Sequence, residues 1–140
     1  MRVEDVMVST AGGFSTIDLT ILGEPIAQNG WKLRFRNCSR PFLYDPLRSQ
    51  KMKLRNSVKA EMVELGEPVP FFKGSRLQVS IISHFHTATR KDLDNLSKFL
   101  LDAMEGVLYD DDKWIFHLVV KKVETTSPST VVSVSTLQNS

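Results

Sequence analysis

Residues 90–115 read RKDLDNLSKFLLDAMEGVLYDDDKWI and contain the clearest helical spacing in the chain. Four apolar positions recur at intervals of three and four residues, as on one face of a helix: Leu93, Leu96, Leu100 and Met104. Gly106 follows directly and is typical of the residue at which a helix ends. The stretch therefore predicts a helix with one polar face, followed by an acidic turn.

Strands are predicted on both sides of this helix. Before it, apolar residues alternate with polar ones at Leu77, Val79, Ile81 and Phe85, which is the period of a half-buried strand. After it, residues 114–123 and 130–136 are rich in β-branched side chains, and Ser127 and Pro128 supply a turn between them. We expect a strand, a helix and two further strands from residue 77 onward.

The N-terminal half adds one more strand and one more helix. Ile17, Leu19 and Ile21 alternate with polar residues, and residues 47–65 carry apolar side chains at helical spacing, with cations between them. We expect residues 1–14 to form a flexible tail and residues 23–46 to form a long irregular loop. The predicted order is β-α-β-α-β-β without an internal repeat, which favours one α/β (α+β) domain over residues 15–137, with a mixed sheet of about four strands and two main helices.

Composition supports a single soluble domain. The chain has 140 residues, of which 41% are hydrophobic, and this is enough for one modest core. Cys38 is the only cysteine, so an internal disulfide is excluded and a reducing compartment is the default. No stretch looks like a signal peptide or a membrane span. We expect a soluble intracellular protein of the cytoplasm or nucleoid.

Charge is unevenly distributed, although the net charge is only +2. Residues 31–59 contain nine cations and one acid, Asp45, whereas residues 92–112 contain seven acids and one cation, Lys98. The first segment is a natural surface for phosphates, and the second is a candidate site for a cation.

Asp92 and Asp94 can be interpreted in two ways. In an extended segment, residues two apart point the same way, so both carboxylates could share a metal if the helix began after them. Alternatively, one of them simply caps the helix, since Asp is a favoured N-cap residue. Lys98 lies four residues after Asp94 and is held near it, either as an ordinary helical ion pair or as part of a site.

Asp110, Asp111 and Asp112 precede the third predicted strand. Most acidic runs are solvated turns. In combination with Asp92 and Asp94, however, a hard cation with oxygen ligands is the better explanation, and Mg²⁺ and Mn²⁺ suit carboxylates. An EF-hand starting at Asp92 fails, because Ser97 and Ala103 stand at its Gly and Glu positions.

The stretch 90–115 resembles the signature of the RusA family of Holliday-junction resolvases. In that signature a basic run leads to Asp-Leu-Asp-Asn, a lysine, an Asp-Ala step and an acidic pair before a strand. Here these features are residues 92–95, Lys98, residues 102–103 and residues 111–112. Weaker similarity extends to GEPIAQNGWKLRFR, residues 23–36. The chain departs from the pattern at Trp114, where members usually have Gln, and in its short basic run.

The resemblance implies a Mg²⁺-dependent, structure-selective endodeoxyribonuclease that resolves four-way junctions by paired hydrolysis in DNA recombination and repair, with Mn²⁺ as a possible substitute. It assigns Asp92, Asp94 and Asp112 as metal ligands, with Asp111 as the alternative to Asp112, and Lys98 as a catalytic helper. It also implies a homodimer bound to branched DNA. The expected DNA-contacting cations are Lys32, Arg34, Arg36, Arg40, Arg90 and Lys91.

Two other interpretations fit the same residues. One is a catalytically inactive RusA-fold module that binds nucleic acid, and Trp114 is its main support. The other is a nuclease with the same metal site that acts on other branched DNA.

Overall fold

The computed structural model describes residues 2–26, 32–35, 41–86 and 92–137. Within these ranges the chain forms seven strands and two α-helices. The strands are β1 (Arg2–Ala11), β2 (Phe14–Leu22), β3 (Lys32–Phe35), β4 (Pro41–Tyr44), β5 (Leu77–Phe85), β6 (Ile115–Glu124) and β7 (Ser129–Thr136). The helices are α1 (Arg48–Glu64) and α2 (Leu93–Met104). Both predicted helices and all four predicted strands are therefore confirmed.

Five of these strands form one mixed sheet in the order β1-β2-β7-β5-β6. β5 and β6 are parallel and are connected through α2, as parallel neighbours require a crossover. The other neighbours are antiparallel. α2 thus follows the end of β5 and leads back to the start of β6, which lies beside the start of β5 and is preceded by the acidic turn.

The core lies between the helices and one face of the sheet. β5 alternates buried and half-buried residues along its whole length, as the sequence period predicts. The main cluster of buried side chains joins the sheet to both helices, with Ile17, Ile81, Val58 and Phe99 each at 0% exposure. This packing fixes α2 against the sheet and leaves its polar face outward.

The N-terminal segment corrects the prediction of a flexible tail. Residues Arg2–Ala11 form β1, which pairs with β2 from Arg2–Leu22 to Ala11–Phe14. Gly12 and Gly13 have φ values of 57° and 80°, which suits a two-residue hairpin turn. The strand lies at the sheet edge and is mostly exposed, so backbone pairing holds it, and Val3 is its one buried side chain.

The predicted irregular segment 23–46 also contains structure. β3 and β4 lie within it and pair with each other as a separate two-stranded sheet. Strands of four residues offer too few positions for a hydrophobic period to show. In the described part of the chain, no helix is long and apolar enough to cross a membrane.

Candidate active site

The first turn of α2 is organised by Asp92. Its backbone is extended, with φ −90° and ψ 128°, and its Oδ1 accepts a hydrogen bond of 2.9 Å from the Asp94 N–H. Asp92 is thus the N-cap, which is one of the two roles that its sequence position allowed. Because the helix begins at Leu93, between the two aspartates, they do not share the extended segment in which both would point the same way.

Lys98 pairs with Asp94 one turn along the helix. Its Nζ lies 3.1 Å from Asp94 Oδ2, and the two side chains are 58% and 69% exposed. An exposed helical pair of this kind contributes little to stability. Its exposure instead leaves both charges accessible to a phosphate or a cation.

A pocket of about 210 Å³ joins this helix face to the acidic turn. Lys98, Leu101 and Asp102 line it from α2, and Asp112 lines it from the segment before β6. The buried Tyr109 donates a hydrogen bond of 2.6 Å to the Leu101 carbonyl and so ties the returning chain to α2. The fold therefore brings together Asp112 and Lys98, the partner of Asp94, although fourteen residues separate them in sequence.

Three carboxylates cluster beside this pocket. Glu105, Asp111 and Asp112 each have an oxygen within 4.8 Å of the others, and they form the one such acidic group found over the described ranges. Glu105 Oε1 accepts from the Asp112 N–H at 3.2 Å, and Asp111 Oδ1 accepts from the Lys113 N–H at 3.0 Å. Asp111 and Asp112 lie at the start of a short 3₁₀ helix, Asp112–Trp114.

Electrostatics at this cluster favour a cation. Asp112 is exposed, but partial desolvation, followed by the neighbouring Asp111 carboxylate and the charge of Asp102, raises its pKa above the ordinary value. Carboxylate oxygens are the donors that Mg²⁺ and Mn²⁺ prefer, so the donor set fits such an ion. Asp92 and Asp94 are not members of this group.

A buried ion network supports the pocket from α1. Lys51 Nζ contacts Asp45 Oδ2 at 2.5 Å and Asp102 Oδ2 at 2.8 Å, and its side chain is 6% exposed. Burial alone would raise the pKa of Asp45, but hydrogen bonds from Lys51 and the Leu47 N–H outweigh it and hold this pKa below its ordinary value. Arg55 donates to the carbonyls of Asp102 and Ala103, at 2.7 and 3.2 Å.

Sequence reasoning missed several of these groups. In the sequence, Asp102 stands out only as part of the Asp-Ala step, and Glu105, three residues further on, only as one of the seven acids of residues 92–112. Asp102 and Glu105 are three residues apart, about one helical turn, and this spacing could have indicated that their carboxylates lie close together. Lys51 gave no signal, because its partner Asp102 is 51 residues away.

The predicted DNA-contacting cations fall on less fully described parts of the chain. Arg36, Arg40, Arg90 and Lys91 lie outside the described residues. Lys32 and Arg34 lie on β3, for which only the backbone is described. Their contacts with DNA stay a prediction.

Comparison with known proteins gives one family. The family model described as endodeoxyribonuclease RusA matches residues 33–135 of the 140-residue chain, and a search of curated proteins finds no significant match. The matched region begins in β3 and includes α1, α2, β5 to β7 and every residue of the pocket and the acidic cluster. The chain therefore belongs to the endodeoxyribonuclease RusA family.

Proposed function

We propose that this protein is a Mg²⁺-dependent, structure-selective endodeoxyribonuclease that resolves four-way DNA junctions by paired phosphodiester hydrolysis. The observation that carries the proposal is the pocket lined by Lys98 and Asp112, with the carboxylates of Glu105 and Asp111 beside Asp112, in a member of an endodeoxyribonuclease family. We place its work in DNA recombination and repair inside the cell.

The proposed ligands of the ion are Asp92, Asp94 and Asp112, with Asp111 as the alternative to Asp112. Glu105 is close enough to Asp111 and Asp112 to join them. Asp92 uses one carboxylate oxygen as the helix cap, and its second oxygen is compatible with a further role. Because α2 begins between Asp92 and Asp94, the two would bind the ion from the helix cap and the first helical turn, not from one extended segment. When bound, the ion would supply an activated water and neutralise charge on the phosphate.

Lys98 has the role of stabilising negative charge on the scissile phosphate. Its ammonium is exposed at the pocket, and its partner Asp94 holds it within 3.1 Å. A compact ammonium is a suitable point charge for a phosphate oxygen, and such electrostatic contacts act most strongly where charge develops during reaction.

Affinity for DNA must come from outside this acidic pocket, because carboxylates repel phosphates. We propose that the DNA lies along the cations Lys32, Arg34, Arg36, Arg40, Arg90 and Lys91. Three exposed cations of α1 contribute further positive charge for binding DNA: Arg48, Lys53 and Lys59. Contacts of this kind position the duplex without reading its sequence.

We further propose a homodimer, because two-fold symmetry would present two sites to a four-way junction. β6 is an edge strand of the five-stranded sheet. It leaves Phe116, Leu118 and Val119 exposed at 56%, 39% and 46%. Exposed apolar side chains on a sheet edge are compatible with an interface between two copies.

The function is tested by cleavage of an end-labelled synthetic four-way junction beside a linear duplex of the same sequence. Each is incubated with Mg²⁺, with Mn²⁺ or with EDTA. We expect paired nicks in the junction with either metal and none with EDTA. Flap and fork substrates are tested in the same way, and cleavage of these equal to that of the junction would instead indicate a nuclease for other branched DNA. Binding without cleavage under any metal would indicate a catalytically inactive module.

A further inference from the structure

We propose that Lys51 is a positioning residue of the pocket, which engages Asp102 and thereby keeps Lys98 paired with Asp94. The predicted effect on cleavage rests on the function proposed above, whereas the prediction of which carboxylate pairs with Lys98 does not.

Lys98 lies midway between two carboxylates of the same helix. Asp94 is four residues before it and Asp102 four residues after it, and both spacings bring side chains together on a helix surface. Lys98 and Asp102 also line the same pocket. The ion pair that forms is nevertheless the one with Asp94, at 3.1 Å. The order acid-then-lysine is the better one on a helix, but this preference is small.

Lys51 removes Asp102 from this competition. Its ammonium approaches from α1, contacts Asp102 Oδ2 at 2.8 Å and is only 6% exposed, whereas Lys98 is 58% exposed. A charge-assisted bond to a buried ammonium is screened less than one to an exposed ammonium. Asp102 is therefore engaged by Lys51, and Lys98 stays with Asp94.

The backbone of α2 at this point has a second support. Arg55 donates to the carbonyls of Asp102 and Ala103 through its guanidinium, independently of Lys51. Removal of the Lys51 ammonium should thus release the Asp102 carboxylate without moving the helix. The released carboxylate would then attract Lys98.

The central test is a double-mutant cycle of Lys51→Met and Asp102→Asn, measured as single-turnover cleavage of a four-way junction with Mg²⁺. We expect Lys51→Met to lower the maximal rate about fivefold in the native background, which is the scale of an exposed pair. KM for the junction should hardly change. In the Asp102→Asn background, Lys51→Met should have no further effect. An equal loss in both backgrounds, or none in the native one, would overturn the proposal.

Stability must be separated from positioning, because Lys51 also neutralises Asp45. The Asp45 side chain is 7% exposed, so Lys51→Met leaves a buried carboxylate without this partner and should lower the Tm. Adding Asp45→Asn should restore the Tm but not the rate. If it restored both, Lys51 would be only structural. Lys73→Met, at an exposed lysine outside α1, the pocket and the proposed DNA-contacting cations, controls for lost charge and should leave the maximal rate unchanged.

A crystal structure of Lys51→Met gives a readout that needs no activity. We expect Lys98 Nζ within ion-pair distance of Asp102 in the variant and of Asp94 in the native protein. An unchanged Lys98–Asp94 pair in the variant would contradict the proposal. If the native protein cleaved no junction, the proposed function would fail while this comparison still decided the role of Lys51.

Discussion

Asp92 has two roles, one observed and one proposed: its side chain caps α2, and we propose that it also binds the metal ion. One of its carboxylate oxygens accepts from the Asp94 N–H and so caps the start of α2. Any loss of cleavage in an Asp92 variant could therefore come from a frayed helix or from a lost ligand. Two substitutions separate these causes, because Asn caps a helix nearly as well as Asp, whereas Ala does not.

We predict that Asp92→Asn unfolds in urea like the native chain, whereas Asp92→Ala loses about 1 kcal/mol. Both variants should lose junction cleavage with Mg²⁺, because Asn lacks the charge that a ligand supplies. Cleavage that survived in Asp92→Asn and fell only in Asp92→Ala would leave Asp92 as a cap alone.

Asp112 should destabilise the metal-free protein. Partial desolvation, Asp111 and Asp102 raise its pKa in the fold, so the folded state binds this proton more readily than the unfolded state. Its favourable contribution is present below the unfolded pKa, near 3.8, and is lost as the pH rises through the folded pKa. At pH 7 the ionised group therefore opposes folding.

Asp112→Asn should consequently have a higher Tm than the native chain in EDTA at pH 7, and this advantage should vanish at acidic pH. Added Mg²⁺ should raise the Tm of the native chain and have much less effect on the variant, because a ligand that binds only the folded state stabilises it. Differential scanning calorimetry with EDTA or Mg²⁺ measures both shifts. Equal Mg²⁺ shifts in the two proteins would exclude Asp112 as a ligand.

At the scale of elements, β1 illustrates what a strand at the sheet edge contributes. It lies outside the region that matches the family, yet it covers the edge of β2, whose Ile17, Leu19 and Ile21 are almost fully buried. Val3 is its one side chain in the main core cluster, at 8% exposure, whereas Met7 on the same strand is 66% exposed.

Val3→Ala should therefore destabilise the protein by roughly 1–2 kcal/mol, and Met7→Ala should change stability little. The comparison is made by measuring the free energy of unfolding of both variants and of the native chain in a chemical denaturant. Two equal, negligible effects would mean that β1 adds nothing to the core and would revive the expectation of a flexible N-terminal segment.

The same elements show how far the sequence predicts the fold. Periodicity was sufficient for α1, α2 and β5, since each is long and buries one face. It was insufficient for β1, where backbone pairing rather than buried side chains defines the strand. For the site, the acidic turn and Lys98 were visible as local patterns. The position of Glu105 beside the acidic turn depends on how the chain folds back after α2, and the contacts of Lys51 depend on the packing of α1 against α2. No local sequence pattern indicates either.

For the molecule as a whole, charge is divided between a cationic region and an acidic pocket. Binding to DNA should consequently weaken steeply with salt, since each neutralised phosphate adds about −0.9 to the slope of log K against log salt. Lys53→Met should reduce this slope by about one if Lys53 contacts a phosphate. Fluorescence anisotropy with a labelled junction at several salt concentrations measures it. A slope near zero for the native protein would contradict binding through the cations.

The most direct test of the account compares native protein with Asp94→Asn on one labelled four-way junction with Mg²⁺, scoring cleavage and binding in the same samples. Loss of even an outer partner of a metal site typically costs 10–100-fold, so the variant should cleave at least about 100-fold more slowly. It should bind the junction equally well or better, because one repelling charge is gone. Cleavage at the native rate by Asp94→Asn would contradict a site built on α2 and Asp112.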